Sequence, residues 1–250
     1  MTDFRITRRR LLFTAGSGVL GVTVLNSVAA CSTSGESPSA TPSPISPSSA
    51  AAPAGDTGDW KRVNLSFVSA YLLVRGSEVA VVDLGTPGSG SSIEDGLKAA
   101  GQTWSSVKHV ILTHQHQDHA GGLADVVPLA TGATIYAGEA DVSAIGSPKP
   151  LKAVKDGDEV FGLQIVGTPG HTLGHVCVFD PTTGTLVSGD ALRTQNGLEG
   201  SNPQFTADGA QAAASVKKLA GLDIRTILPG HGDPLTSGAK EALQKLAASL

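Results

Sequence analysis

The chain has seven histidines, and six of them, His114, His116, His119, His171, His175 and His231, follow apolar runs and sit among Gly, Asp, Thr or Pro. Those settings read as loops leaving the ends of strands. The densest group is Thr113-His114-Gln115-His116-Gln117-Asp118-His119, with Gly121-Gly122 behind it. His114 and His116, two residues apart, can project to one side of an extended loop, while Asp118 and His119 swing to another as the chain enters a helix. One short segment therefore offers two neighbouring sets of imidazole and carboxylate donors. A divalent metal such as zinc takes three or four N and O ligands, and a catalytic site leaves one position open. The seventh histidine, His109, lies inside an apolar run and reads as a structural residue. Cys177 also follows a strand pattern and reads as a core residue rather than a ligand.

Short β-rich runs must carry these loops. Val63–Val68, Tyr71–Val74, Val79–Val82, Val107–Leu112, Thr134–Tyr136, Leu163–Val166, Val176–Phe179, Thr185–Val187 and Thr226–Leu228 read as strands, several too apolar to alternate. Helices are predicted at Ser91–Ala100, Gly122–Val127, Thr206–Leu219 and Gly238–Ala248, the third opening on the cap-like Thr206-Ala207-Asp208. The early strands form a meander, and the later ones come with helices between them, so sheets covered by helices on their outer faces are expected.

The first 57 residues have a different composition. Paired arginines, Arg8-Arg9, precede a mildly apolar stretch from Leu11 to Ala30 that is diluted by Gly, Ser and Asn. The layout is that of a bacterial export signal and resembles the twin-arginine type, which passes proteins already folded. Val28-Ala29-Ala30-Cys31 resembles a lipobox, which makes Cys31 the lipidation site. Two alternatives remain: a signal cleaved elsewhere with Cys31 incidental, and an uncleaved span, which the Gly and polar content disfavours. Residues 31–57 are mostly Ser, Pro, Ala and Gly and cannot bury enough apolar surface to offset their ordering entropy, so they read as a tether. The domains expected are thus 1–30 signal, 31–57 tether and 58–250 catalytic unit, long enough for its own core.

The chain's formal charge is −4, and without residues 1–30 it carries 14 basic against 21 acidic side chains. That balance argues against a nucleic-acid partner, whose phosphates Lys and Arg would have to neutralise. Two cysteines exclude a disulfide framework. With 40% apolar and 16% charged residues the chain is neither collagen-like nor wholly disordered. The partners expected are a small-molecule substrate and, through the lipid anchor, a membrane, with the protein facing the cell envelope or exterior.

Four segments together resemble the metallo-β-lactamase superfamily. His114-x-His116-x-Asp118-His119 looks like its metal-binding signature, Thr168-Pro169-Gly170-His171-Thr172-Leu173-Gly174-His175 like its third-histidine loop, Ser188-Gly189-Asp190 like its bridging-carboxylate turn, and Pro229-Gly230-His231-Gly232 like its last ligand loop. Val81-Val82-Asp83-Leu84-Gly85 resembles the early strand ending in a buried aspartate, with Leu84 where the family often has Thr. The resemblance implies an α+β fold, an αβ/βα sandwich of two mixed sheets flanked by helices. It implies one metal on His114, His116 and His171, a second on Asp118, His119 and His231, and Asp190 bridging the two. The cofactor implied is two divalent ions, zinc foremost, with iron or manganese as alternatives. Asp83 and Thr113 are implied as supports behind the ligands, and His175 either braces the His171 loop or donates near the substrate.

The chemistry implied is hydrolysis by a metal-bridging hydroxide, with Asp118 as the catalytic residue that orients it and carries its proton. The substrates implied are esters, thioesters, lactones or related carbonyl compounds, with Gly138–Pro150 as a candidate pocket wall. Glutathione thioesters are less expected, because only 19 residues follow His231. The presence of both Asp118 and Asp190 counts against a true β-lactamase. A mononuclear-iron sulfur dioxygenase and a non-catalytic lipoprotein of the same fold remain alternatives, since fold alone does not set the reaction.

Overall fold

A computed structural model describes residues 60–250. The signal expected over 1–30, Cys31 and the tether over 31–57 lie outside the described residues. Strands β1 (Trp60–Leu65), β2 (Val68–Arg75) and β3 (Glu78–Val82) form an antiparallel meander. Strands β4 (Val107–Leu112), β5 (Thr134–Gly138) and β6 (Leu151–Val154) continue the same sheet in parallel. Helix α1 (Gly90–Ala99) links β3 to β4, and α2 (Gln117–Ala120) with α3 (Leu123–Val126) links β4 to β5. The second sheet begins with the antiparallel run β7 (Glu159–Val160), β8 (Leu163–Gly167), β9 (Val176–Asp180) and β10 (Thr185–Gly189). A ribbon of β11 (Leu192–Arg193) and β12 (Glu199–Gly200), then α4 (Gly209–Leu219), lead to β13 (Thr226–Pro229), which pairs parallel with β10. Helix α5 (Ala239–Ala248) closes the described chain.

Strand period explains the layers. In β2 and β3 the residues Leu72, Val79 and Val81 point outward onto Ile93 and Leu97 of α1, while Tyr71, Leu73, Ala80 and Val82 point inward. There they meet Ile165, Val178, Val187 and Leu228 of the second sheet. The outer face of that sheet, with Phe179, Leu186 and Ile227, packs on Val216 and Leu219 of α4 and Leu243 of α5. Strands buried on both faces show continuous apolar runs rather than alternation. The result is the expected αβ/βα sandwich, two mixed sheets between helices.

Local departures from the sequence reading have identifiable causes. The run Val63–Val68 is not one strand: it bends at Ser66-Phe67, where Ser66 takes φ +76° and its N–H donates to Asn64 Oδ1. Neither turn residue is Gly, Asn or Asp, so the turn left no signal. Helix α4 starts at Gly209 rather than Thr206, capped by Asp208, whose Oδ1 accepts from Ala210 and Gln211 N–H. Residues Pro203–Phe205 form a separate 3-10 turn. Strands β6, β7, β11 and β12 have two to four residues each, too few to show a pattern. No helix among the described residues is long and apolar enough to cross a membrane.

Candidate metal centre

Five strands end at one edge of the sandwich, and each hands over to residues of the centre. Asp83 follows β3, the His114–His119 segment follows β4, Thr168 to His171 follow β8, Asp190 follows β10, and His231 comes two residues after β13. The two glycines flanking these joints are dictated by space. At Gly189, with φ +47°, a Cβ would sit 2.7 Å from Thr113 and 2.8 Å from His175; at Gly230 it would sit 2.6 Å from His119 and 2.7 Å from Asp190.

All seven residues implied as ligands come together. Donor atoms of His114, His116 and His171 lie within 4.8 Å of one another, as do those of Asp118, His119 and His231, and those of His114, His119 and Asp190. His116 Nδ1 is 3.1 Å from His114 Nε2 and 3.0 Å from His171 Nε2. Asp190 spans both groups, with Oδ1 3.1 Å from His119 Nε2 and Oδ2 3.3 Å from both His171 Nε2 and His231 Nε2. Asp118 Oδ2 is 3.2 Å from His231 Nε2.

The surrounding hydrogen bonds decide which imidazole nitrogens face inward. Asp83 adopts φ +61° and is buried; its Oδ1 accepts the Thr113 N–H, and its Oδ2 accepts both the Thr113 hydroxyl and His119 Nδ1–H. Because the Thr113 hydroxyl spends its proton on Asp83, its oxygen is left to accept from His114 Nδ1, 3.0 Å away. His231 Nδ1–H donates to the Phe67 carbonyl at 2.8 Å. In their neutral forms His114, His119 and His231 therefore carry the proton on Nδ1 and turn a bare Nε2 lone pair into the cluster. Lone pairs crowded against one another and against two carboxylates repel unless a cation lies among them. Among the described residues Asp190 Oδ1 is also buried without a hydrogen bond, since its 3.1 Å approach to His119 lacks hydrogen-bond alignment. The donor set, nitrogen and oxygen only, fits divalent metal ions.

Charge follows the same pattern. Burial pushes His114 well below the ordinary imidazole value, with the nearby His119 charge adding to it. Burial likewise lowers His171 to about 4, against the pull of Asp190. At His119 burial is outweighed by Asp190 and Asp83, which raise it well above the usual range. His231 rises to about 10, burial being overcome by the neighbouring carboxylates of Asp118 and Asp190. Those imidazoles also hold Asp190 far down, and Asp118 down, despite burial. Both carboxylates are thus ionised near neutral pH, and the protons that metals would replace sit on His119 and His231.

His175 has no nitrogen left for a metal. Its Nε2 accepts the Asp190 N–H at 3.1 Å, so its Nδ1–H faces Thr168 Oγ1 at 2.8 Å, and burial lowers its pKa to about 3. It braces the Asp190 turn as well as joining it to the His171 loop. Leu84, in place of the family's frequent Thr, is fully buried in the outer core, while its N–H donates to the His119 carbonyl. Cys177 is buried core, its thiol pushed up to about 12 by burial. His109 lies in β4, its ring 4.9 Å from that of Phe161.

Three residues that sequence reasoning passed over belong to the surroundings of the centre. Asp141, in the 3-10 turn Glu139–Ala144, is buried; its Oδ2 accepts from Gln115 N–H and the Thr172 hydroxyl, its Oδ1 from Gly174 N–H. It ties the His114–His116 loop to the His171 loop. Phe67 and Arg193 line the cleft that opens onto His116, Asp118, Asp190 and His231, a space of about 420 Å³. The segment 138–150 borders a second, shallower depression beside His116 and His171 instead of this cleft. Only spacing to a known ligand could have flagged Arg193, three residues after Asp190.

The profile of the Metallo-beta-lactamase superfamily matches residues 63–231. The protein YobT of Bacillus subtilis (strain 168) is 28% identical over 212 residues, spanning 71% of this chain and 90% of that one. The probable metallo-hydrolase YflN of the same strain is 29% identical over 221 residues, 70% of this chain and 84% of its own. Among solved structures, TTHA1623 in a di-iron-bound form superposes with a TM-score of 0.57 at 28% identity, covering 70% of this chain and 92% of that one.

Proposed function

Since the chain belongs to the metallo-beta-lactamase superfamily, we propose that it is a dinuclear metal-dependent hydrolase acting on an ester, thioester, lactone or related carbonyl compound. The observation that carries this reading is the set of inward Nε2 atoms of His114, His119 and His231, with Asp190 reaching both donor groups. His114, His116 and His171 would hold one ion, Asp118, His119 and His231 the other, with Asp190 shared. Bound there, two divalent ions would supply water acidified to near neutrality and polarise the carbonyl. The chain's own part is to orient and to move protons. Asp118, ionised and lining the cleft, accepts the proton of the attacking water and passes it to the leaving group. Phe67, exposed at the rim, screens one side of the cleft and, through its carbonyl, fixes the His231 tautomer. Zinc is our first choice of metal; the di-iron form of TTHA1623 makes iron the second.

Metal analysis of the full chain, purified without added metal, is expected to give close to two equivalents, with hydrolysis in a panel of lactones, esters, thioesters and β-lactams. Asp118→Asn is expected to lower turnover about 10²- to 10⁴-fold while keeping at least the first metal. A single iron with oxygen uptake and no hydrolysis would overturn the reading in favour of a dioxygenase. We also propose that the protein is exported folded and anchored through Cys31, on the strength of Arg8-Arg9 and Val28-Ala29-Ala30-Cys31. Arg8→Lys with Arg9→Lys should leave metal-loaded protein in the cytoplasm, and Cys31→Ala should release it from membranes or stall its processing; normal export and anchoring would refute this.

A further inference from the structure

In the donor group Asp118, His119 and His231, only the last comes from the second sheet. Glycines flank it on both sides, and Gly232 takes φ +102°, so the segment Pro229-Gly230-His231-Gly232-Asp233 has little stiffness of its own. Contacts from elsewhere hold it instead. Each of its five carbonyls accepts a hydrogen bond. Thr194 supplies two of them, its N–H to His231 at 3.0 Å and its hydroxyl to Asp233 at 2.6 Å. The other three come from the first sheet: the Tyr71 hydroxyl to Pro229 at 2.8 Å, the Ser69 N–H to Gly230 at 2.9 Å, and Arg62 Nη2 to Gly232 at 2.8 Å.

Arg62 stands at the middle of this grip. It lies on β1 directly opposite Tyr71 of β2, so both side chains leave the same face of the sheet, towards the second one. Besides Nη2, its Nε donates to Ser69 Oγ and its Nη1 to Asp233 Oδ1, both at 2.9 Å. Ser69 is itself buried and holds Gly230. The guanidinium thus grips the loop on both sides of His231, directly at Gly232 and through Ser69 at Gly230. An edge strand can carry an inward charge simply to discourage pairing with another chain. Such a charge needs only water, whereas this one is 25% exposed and commits three nitrogens to three protein acceptors, which a lysine could not do. The tip of the same hairpin gives the Phe67 carbonyl to His231 Nδ1. Backbone and ring of His231 therefore take their register from one hairpin.

We propose that Arg62 is a positioning residue of the metal centre: through Gly232 and Ser69 it fixes where His231 presents Nε2 to Asp118, His119 and Asp190. The proposal rests on the dinuclear reading of the centre. The Gly232 carbonyl is the operative contact, because Asp233 is 92% exposed and an exposed ion pair contributes little.

The test uses the full chain, stripped of metal by chelation and titrated with zinc in steps; His231→Ala identifies the step that belongs to the ion on Asp118, His119 and His231. Arg62→Ala is expected to weaken that step about 10- to 100-fold and to leave the other unchanged. Guanidinium ion at non-denaturing concentration should restore part of the loss, and ammonium at the same ionic strength should not. Arg62→Lys should fall between, and Asp233→Ala should cost less than either. In the metal-free protein, imidazole N–H exchange followed by nitrogen-15 NMR should quicken at His231 and stay unchanged at His119, which Asp83 holds. Equal weakening of both steps, no weakening, or exchange quickened at both histidines or at neither overturns the proposal. If the unsubstituted protein takes up one equivalent only, the dinuclear reading falls and the exchange measurement alone decides the role of Arg62. Should Arg62→Ala fail to fold, Arg62→Lys carries the same two measurements against the same outcomes.

Discussion

The two sheets contribute to the centre in different ways. The first gives four of the seven donors, His114, His116, Asp118 and His119, from the single loop after β4. The second gives His171, Asp190 and His231 from three loops, after β8, β10 and β13. In the first region one buried residue, Asp83, fixes the frame: it accepts from Thr113 twice and from His119. In the second each donor has its own brace. His175 holds the Asp190 turn, the Phe67 carbonyl holds His231, and Asp141 holds the His171 loop through Thr172 and Gly174. A concentrated frame fails all at once, whereas a distributed one fails one ligand at a time.

The largest effect expected from that contrast is on stability. Asp83→Ala removes three accepted hydrogen bonds and the buried partner of His119, with side chains 2% and 0% exposed. Breaking a buried pair on one side costs about 3–5 kcal/mol. Denaturant unfolding of the metal-free protein should show that loss for Asp83→Ala, with metal binding gone from both groups. Asp190→Ala, by contrast, should stay folded and soluble, lose hydrolysis, and unfold with a smaller penalty. An Asp190→Ala protein less stable than Asp83→Ala would mean that the second region carries the frame.

The same contrast explains what could be read in advance. His114, His116, Asp118 and His119 fall within six residues, so their spacing alone announced paired donor sets. His171, Asp190 and His231 are separated by long stretches, and only the resemblance to a family joined them before the sandwich brought their strand ends together. The layers were legible because β2, β3, β10 and β13 are apolar on both faces. What stayed hidden was the support. Asp141 is an acid in a short 3-10 turn with nothing in its sequence to mark it as buried; Ser66-Phe67 turns without a glycine; and Arg193 acquires its place from a two-residue strand. Each depends on a long-range contact that local propensity does not encode.

Protonation should separate the metal-free and metal-loaded molecules. His119 and His231 have raised folded-state values, His231 about 10, so relative to an ordinary imidazole the folded state holds extra protons. Their stabilisation is fully present below about 6.5 and is lost as pH rises through the folded values. The metal-free protein is thus expected to lose stability from pH 7 towards 10. Metal must displace those protons, so apparent metal affinity should rise with pH, by about tenfold per unit for each proton displaced. Calorimetry in buffers of differing ionisation enthalpy would count them. Proton release near zero at pH 7 would show that both imidazoles are already neutral and that the carboxylates do not hold them charged.

Asp141 tests the join between the two regions and should give the smallest effect. Its two oxygens accept three hydrogen bonds, from Gln115 N–H on the first-region loop and from Thr172 and Gly174 on the His171 loop. Asparagine has nearly the same shape but replaces one acceptor by a donor, so an NH₂ group must face at least one N–H or O–H. Leaving one such buried donor unsatisfied costs about 1–3 kcal/mol, below the loss expected at Asp83, because no charged partner is stranded. His116 Nδ1 and His171 Nε2, 3.0 Å apart, come from different sheets, and Asp141 is one of the ties between their loops, beside the Val176 N–H to Thr113 carbonyl bond. Asp141→Asn should therefore weaken the ion held by His114, His116 and His171 while leaving the one held by Asp118, His119 and His231 near its original affinity. Stepwise metal titration would separate the two. Equal weakening of both, or of neither, would mean that the regions are registered by the strand packing alone and that Asp141 only fills its turn.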